Sequence, residues 1–236
     1  MFTVKRALMA LGGALLVAAA VVPATGLLSV GEVAIPKPIV GGNRASTAQF
    51  PFVVDISRNG GQWCGGTLVA ADKVATAAHC FAGVNASEFT VFQGRDDRQS
   101  TAGKSSKVAK VFQDPGFQGV ESGNDYAVLT LATPFTGVQV LPLASASDSG
   151  LYTPGTNATV LGWGKTAENG QSSRFLLKVD VPLRSAADCS RAYAQSAGDN
   201  TQVCAGFDTA GKDSCGGDSG GPLVAGGKLI GIVSYG

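Results

Sequence analysis

Two short motifs in this sequence carry the residue types that can activate a hydroxyl group. His79 is the single histidine of the chain and lies in segment 76–80 (TAAHC), and Ser219 lies in segment 217–222 (GDSGGP). A serine hydroxyl is a poor nucleophile until a positioned base accepts its proton. Because one imidazole is available, His79 is the candidate base and Ser219 the candidate nucleophile.

A third residue could orient this base. Asp125 directly precedes the strand-like segment 126–131 (YAVLTL), which would carry its carboxylate into a region of low dielectric constant. A buried carboxylate needs a hydrogen bond, and a histidine N–H supplies one while the carboxylate stabilises the imidazolium. Asp114 is typical of a turn, and Asp96 and Asp97 lie in a charged loop, so these three are weaker candidates.

The composition favours a β-rich extracellular protein. Charged residues make up 15% of the chain and glycines number 33, against about 25% charged residues and about 7% glycine in average proteins. A formal net charge of +1 leaves no basic surplus for nucleic acid or anionic membrane, so we expect neither as a partner. With a single histidine, we also expect no metal and no cofactor.

The N-terminus has the pattern of a secretory signal peptide. Lys5 and Arg6 precede the apolar segment 7–22, and proline and small residues follow it. This pattern predicts secretion with cleavage after Ala24 or Gly26. A transmembrane anchor is the alternative, but the apolar segment is short for crossing a bilayer.

Beyond residue 39 the sequence alternates between short strand-like segments and turn residues. Many short strands at fairly even spacing favour a sandwich or a barrel over alternating β/α units, and the pattern alone leaves these two open. Segment 202–205 is among the predicted strands, and 185–193 is the predicted helix.

The two motifs, together with 63–66 (WCGG) and 162–164 (GWG), resemble those of the trypsin/chymotrypsin serine peptidases. They are most similar to the secreted fungal and actinobacterial trypsins, and the resemblance runs from residue 39 to the end. It implies an all-β fold of two antiparallel six-stranded barrels with the active site in the cleft between them. The implied organisation is signal peptide 1–24, propeptide 25–38, N-terminal barrel 39–137 and C-terminal barrel 138–236.

The resemblance also implies a secreted endopeptidase that cleaves after Arg or Lys through a triad of His79, Asp125 and Ser219. The backbone N–H groups of Gly217 and Ser219 would form its oxyanion hole. Asp213 would lie at the floor of the specificity pocket and pair with the substrate cation, although a solvated loop aspartate is the alternative. The implied substrate-binding residues are Asp213, Ser214, Ser234, Tyr235 and Gly236.

Segment 39–42 (IVGG) is similar to the mature N-terminus of the family. There the amino group freed by cleavage, here that of Ile39, pairs with the aspartate before the nucleophile, here Asp218. The resemblance therefore implies a zymogen. Pro38 precedes the implied cleavage site and follows Lys37, so an enzyme that prefers Arg or Lys should not cut there. We expect a different protease to activate it.

Five cysteines leave one without a partner in a disulfide framework. The resemblance pairs Cys64 with Cys80 and Cys189 with Cys204, and leaves Cys215. In the family, a partner for that cysteine, a further strand and a C-terminal helix follow the segment that ends at Gly236. We therefore expect a fragment of a longer product, with natural truncation as the alternative, and an incomplete second barrel.

The implied partners are polypeptide substrates and protein protease inhibitors, and the implied state is a monomer. The leading alternative is a secreted binding protein that has the same fold and has lost catalysis, or a non-functional fragment. Retention of His79, Asp125 and Ser219 together argues against that alternative.

Overall fold

The structure, a computed structural model, describes residues 42–167, 170–193, 201–207 and 216–236. These residues form short strands joined by turns, with little helix, so the all-β prediction is confirmed. The strands are β1 (Asn43–Arg44), β2 (Val53–Arg58), β3 (Gly61–Ala70), β4 (Lys73–Thr76), β5 (Phe89–Gln93), β6 (Lys104–Gln113), β7 (Ala127–Leu131), β8 (Asn157–Gly162), β9 (Leu177–Pro182), β10 (Pro222–Ala225) and β11 (Lys228–Ile232). The α-helix is α1 (Ala186–Tyr193), and 3₁₀ turns cover Ala78–Phe81, Ala86–Glu88, Val120–Ser122 and Ala146–Tyr152.

Strands β2 to β7 close into an antiparallel barrel in the order β2-β3-β4-β7-β6-β5. Alternate residues of β5 and β7 are buried, as the two-residue period of a strand requires when one face packs on a core. Phe89, Val91 and Leu129 fill the interior together with Ile56 and Leu68. Closure removes the free strand edges of this half, which makes the barrel a rigid support for the residues at its rim.

The second half of the described chain is a five-stranded antiparallel sheet in the order β1-β9-β8-β10-β11. Its first strand comes from the N-terminal end of the described chain, where Asn43 pairs with Lys178 and Arg44 with Leu177. The core of the barrel continues into this half through Leu161, Trp163 and other buried side chains.

The predicted strand at 202–205 is wrong. In this segment only Ala205 forms a bridge, which joins it to Leu183. A single bridge does not make a ladder of paired residues, so this segment is not a strand in the structure. The predicted helix is confirmed as α1.

The loop between β5 and β6 ties the two halves together, and we call residues 95–98 the cross-link loop. Arg95 and Arg98 reach back to Asp55 of β2, at 2.9 and 3.4 Å from its Oδ2, and Asp55 is fully buried. Asp97 accepts two hydrogen bonds from the Arg174 guanidinium, at 2.8 and 2.6 Å.

Asp96, in the middle of the same loop, binds three separate segments. Its Oδ1 accepts hydrogen bonds from the backbone N–H and the hydroxyl of Thr47, at 2.6 and 2.5 Å. Its carbonyl oxygen accepts bonds from the N–H of Leu176, at 2.8 Å, and from Nε1 of Trp163, at 3.2 Å. Both Trp163 and Leu176 lie in the second half, so the barrel and the sheet are joined by hydrogen bonds as well as by packing.

Helix α1 is too short to cross a bilayer, and no other helix in the described ranges has the length and apolar composition to do so.

Asp148 is expected to make the stability of the fold depend on pH in acid. Lys228 Nζ lies 2.7 Å from both of its carboxylate oxygens, and the side-chain bond from Lys228 followed by bonds from Ser145 lowers the pKa of Asp148 to about 2. An unfolded aspartate has a pKa of about 3.9. The folded pKa is the lower one, so this stabilisation is fully present above about pH 4 and is lost as the pH falls towards about 2.

The check is the free energy of unfolding of Asp148→Asn and of the parent chain, measured between pH 2 and 7. We expect the difference between them to be constant above about pH 4 and to shrink below it. Lys228→Met removes the cation and keeps the carboxylate, and it should reproduce most of this loss. Parallel curves for parent and Asp148→Asn across the whole range would contradict the assignment.

Candidate active site

His79 lies on the 3₁₀ turn Ala78–Phe81, directly after the barrel strand β4. The small residues before it are fully buried, and a disulfide joins the next residue, Cys80, to Cys64 of β3. The carbonyl oxygens on either side of His79 are also held: Gln113 Nε2 donates to Ala78 at 2.8 Å and Trp63 Nε1 donates to Cys80 at 2.7 Å. The backbone of the candidate base is therefore fixed on both sides, while about a quarter of its side chain is exposed.

Asp125 lies behind the imidazole. His79 Nδ1 is 2.7 Å from Oδ2 of Asp125, and the backbone N–H of His79 donates to Oδ1 at 2.8 Å. The preceding residue, Asn124, has a φ of 54°, a left-handed conformation that asparagine tolerates better than most residues. This turn aims the carboxylate at the ring just before β7 begins.

The Asp125 carboxylate stays ionised although it is nearly buried, with 5% of its side chain exposed. Burial by itself raises its pKa, but hydrogen bonds from the His79 ring, the Ser234 hydroxyl and the His79 backbone together lower the pKa of Asp125 below its ordinary value. The Ser234 hydroxyl lies 2.5 Å from Oδ2. Because the carboxylate can only accept, Nδ1 bears the proton in the neutral imidazole and Nε2 then presents its lone pair.

Ser219 lies on the tight segment that leads into β10. Its carbonyl oxygen accepts a hydrogen bond from the N–H of Gly65, at 2.8 Å. The next residue, Gly220, has a φ of 79°, and a side chain there would lie 3.1 Å from the backbone nitrogen of Ala77. Only glycine fits this close approach, which brings Ser219 beside the chain that leads into His79.

Asp218, directly before Ser219, is completely buried. One carboxylate oxygen accepts a hydrogen bond from the N–H of Gly164, at 2.8 Å. A side chain at Gly162 or Gly164 would collide with this carboxylate, so the glycines of the 162–164 motif make the space for it. A buried carboxylate fixes the backbone that bears it, because leaving its bonds unmade is costly.

The segment after β11 lies beside the segment that bears Ser219. Its backbone is paired with the nucleophile segment, since Gly220 donates to Val233 at 2.7 Å and Val233 donates to Gly221 at 3.0 Å. Tyr235 packs edge-on against Tyr193 of α1, with 5.3 Å between ring centroids. Ser234 turns back towards Asp125, so the two halves of the molecule meet at this carboxylate.

Comparison with known proteins identifies the family of this chain. A protein-family model described as Trypsin matches residues 39–236. The chain is 45% identical over 199 residues to a protein named Trypsin from Saccharopolyspora erythraea, an alignment that covers 84% of this chain and 86% of the relative. The chain belongs to the trypsin family. It is also 37% identical over 225 residues to Trypsin eta of Drosophila erecta, covering 89% of this chain and 85% of that protein.

A solved structure supports the fold of this trypsin-family chain. The structure titled human heparin binding protein aligns with a TM-score of 0.71 and 30% identity, covering 84% of this chain and 85% of that one. The chain thus has the chymotrypsin-like fold and is a serine endopeptidase of the trypsin family, which acts on polypeptides.

Several predicted residues of the trypsin-family site are brought together. His79 and Asp125 are in direct contact, Ser219 lies next to the same barrel rim, and both expected disulfides form: Cys64 pairs with Cys80 and Cys189 with Cys204. Four predicted site and disulfide-framework residues lie outside the described ranges, namely Ile39, Asp213, Ser214 and Cys215. The signal peptide 1–24 and propeptide 25–38 lie outside them too, and the division into domains at 137/138 stays a prediction.

Sequence reasoning missed two contacts of this site. The resemblance places Ser234 among the substrate-binding residues and does not indicate its bond to Asp125. Gln62 was not singled out, although its Nε2 donates to the carbonyl oxygen of Gly217 at 2.7 Å. No local motif marks either contact, because the partners are far apart in the chain.

Within the described ranges, Cys64, His79 and Cys80 form the one cluster with the spacing of metal ligands. Both sulfur atoms of this cluster are joined in a disulfide, so neither can supply the thiolate that a metal would need.

Proposed function

We propose that this chain is a secreted endopeptidase that hydrolyses peptide bonds after Arg or Lys through Ser219, His79 and Asp125. The observation that carries the proposal is the 2.7 Å contact between His79 Nδ1 and an ionised, nearly buried Asp125. This contact leaves Nε2 as a proton acceptor at a partly exposed edge of the barrel. A neighbouring serine hydroxyl is the group that such a base activates.

The reaction begins when the Ser219 oxygen attacks the carbonyl carbon of the scissile bond. Its proton passes to His79 Nε2, and Asp125 stabilises the imidazolium that results. The carbonyl π electrons move to oxygen, and the N–H groups of Gly217 and Ser219 stabilise this oxyanion. His79 then gives its proton to the departing amine, and water hydrolyses the acyl-enzyme by the same steps. No cofactor takes part.

Specificity in this proposal comes from Asp213, six residues before Ser219. A negative charge in an apolar pocket gains from a substrate cation and rejects acidic side chains. The partners are polypeptides that present Arg or Lys, together with protein inhibitors that occupy the same site, and the enzyme acts as a monomer. Residues 1–24 direct it to secretion.

The test is a panel of peptides that differ only in the residue before the scissile bond. We expect kcat/KM for Arg and Lys to exceed that for Ala and Glu by orders of magnitude. Asp213→Ser should lower kcat/KM for Arg and Lys by about 150-fold to 5,000-fold, since removing one partner of a buried charge pair costs about 3–5 kcal/mol. The Ala peptide serves as the internal control and should change little. Equal losses for all peptides would contradict a role in specificity.

A second proposal concerns activation. Cleavage before Ile39 would free an amino group that pairs with Asp218, and this pair would fix the backbone of the oxyanion hole. The buried position of Asp218 and its bond to Gly164 support this role. Since Pro38 precedes the bond that must be cut, the enzyme's own preference for Arg and Lys excludes efficient self-activation.

We therefore expect purified zymogen to remain inactive on incubation and Pro38→Arg to activate itself. The measurement is the appearance of the Ile39 N-terminus together with peptidase activity over time. The double variant Pro38→Arg/Ser219→Ala is the control and should not mature. The idea fails if the parent zymogen matures unaided at this bond and Ser219→Ala stops it.

A binding protein without catalysis is the competing candidate on this fold. The structural relative is titled as a heparin binding protein, and heparin is a polyanion. A net charge of +1 gives this chain no surplus of positive charge for such a partner. The intact His79–Asp125 pair favours the peptidase. Covalent labelling of Ser219 by a peptidyl phosphonate separates the two candidates directly.

A further inference from the structure

Gly217 is the one donor of the proposed oxyanion hole whose backbone conformation is open to few residues. Its φ is 97°, a value that glycine adopts without strain. The same conformational freedom lets the glycine backbone move to other φ values at little cost. A donor improves catalysis only if it already points at the position where negative charge will develop. The structure must therefore hold both peptide planes that flank Gly217.

The plane before Gly217 is held by the backbone. The carbonyl oxygen of Gly216 accepts a hydrogen bond from the N–H of Lys165, at 2.8 Å. In a trans peptide the N–H points opposite to the preceding C=O. The bond to Gly216 therefore sets the direction in which the N–H of Gly217 points.

The plane after Gly217 is held by a side chain. Gln62 of β3 donates from Nε2 to the carbonyl oxygen of Gly217, at 2.7 Å. The amide of Gln62 is itself held, since the Ser172 hydroxyl donates to its Oε1 at 3.0 Å. A side chain on Gly217 would lie 2.9 Å from this Oε1, so glutamine and glycine are fitted closely together.

We propose that Gln62 is a positioning residue for the oxyanion hole. It fixes the peptide plane after Gly217 and so restrains the φ and ψ of this glycine, which helps the preceding plane, bonded to Lys165, to keep the Gly217 N–H aimed at the developing oxyanion. Gln62 touches neither the substrate nor the nucleophile in this role, and the proposal rests on the proposed function above. Ser172 acts one step further out by fixing the orientation of the glutamine amide. The hydrogen bond from Gln62 joins the barrel strand β3 to the segment that precedes β10. The barrel therefore helps to fix the geometry of the oxyanion hole.

The test compares Gln62→Met, which keeps the length of the side chain and removes the donor, with the parent enzyme. We expect kcat to fall about tenfold and KM to change less than twofold. The loss should stay below the roughly 10²–10³ that follows complete removal of an oxyanion donor. Gln62→Glu should lose more, because its carboxylate cannot donate and faces the Gly217 carbonyl oxygen. Ser172→Ala should show a smaller loss of the same kind.

A second readout separates positioning from simple stability. In a peptidyl trifluoromethyl ketone the Ser219 oxygen bonds the ketone carbon, the proton passes to His79, and the carbonyl π pair becomes an oxyanion in the hole. We expect Gln62→Met to weaken this inhibitor by the same factor as kcat. Binding of the matching peptide alcohol, in which CH₂OH replaces the carbonyl group so that no oxyanion can form, should be unchanged. Gln99→Met, the same substitution at an exposed glutamine of the β5–β6 loop, is the matched control and should change neither.

The outcomes are distinguishable. If the parent enzyme is active while Gln62→Met and Ser172→Ala alter ketone and alcohol binding equally, the positioning role is wrong and the proposed function stands. If the parent enzyme cleaves no peptide and its Ser219 reacts with neither ketone nor phosphonate, the proposed function fails and this inference fails with it. Thermal denaturation of each variant verifies that it is folded.

Discussion

Ser219→Ala is expected to lower kcat/KM by on the order of 10⁶, the loss seen when the nucleophile is removed from the same triad in other serine peptidases. The structural reason is that the serine lies on a glycine-bounded segment next to the chain leading into His79, with its carbonyl bonded to Gly65. The measurement is kcat/KM on an Arg peptide, together with phosphonate labelling.

The control is Ser147→Ala, at an exposed serine of the 3₁₀ turn Ala146–Tyr152, which should retain full activity. Substrate binding to Ser219→Ala should persist, because the pocket does not depend on the hydroxyl. Labelling of a different serine in the active parent enzyme would contradict the assignment. Activity of Ser219→Ala above about one hundredth of the parent would do so as well, given the expected size of the loss.

Asp125→Asn is expected to lower kcat by about 10⁴ at neutral pH, the size of this effect in the same triad elsewhere. The geometry gives the reason. The backbone N–H of His79 needs an acceptor at the Oδ1 position, so the asparagine oxygen will occupy it and the NH₂ group will face Nδ1. Nδ1 must then accept, the proton moves to Nε2, and the ring can no longer take a proton from Ser219.

Asp114→Asn is the matched control for this experiment. Asp114 accepts a hydrogen bond from the N–H of Gly116 in a turn and should be replaceable with little loss of kcat. KM should change little in Asp125→Asn, because the carboxylate contacts the base and not the substrate. If Asp125→Asn is as active as the parent and Asp114→Asn is inactive, then Asp114 and not Asp125 orients His79.

The local sequence pattern predicts most of the strands, and the residue types identify the catalytic candidates. β5 (Phe89–Gln93) can be located from the sequence, because Phe89 and Val91 have the two-residue spacing of a strand with one buried face. The start of β3 at Gly61 could not be located in this way, because its pairing with β2 continues through a bulge after Ile56 that the glycine-rich sequence does not indicate. Family motifs then supplied the His79 and Ser219 assignments.

Contacts between distant parts of the chain could not be predicted in this way. Ser234 and Asp125 are 109 residues apart, and Gln62 and Gly217 are 155 residues apart. Such contacts depend on how the barrel and the second sheet pack together. The spacing of apolar residues along the sequence carries no information about that packing. The cross-link loop is a similar case, since the sequence shows only that Asp96 and Asp97 lie in a charged loop.

The cross-link loop limits which pieces of this protein can be exchanged with those of relatives. Arg95 and Arg98 depend on Asp55 within the barrel, and Asp97 depends on Arg174 in the other half. A chimera that takes its barrel from one homologue and its sheet from another must therefore inherit both sides of this ionic junction from compatible parents. Recombination between these halves is restricted by a few charged side chains that lie away from the reaction centre.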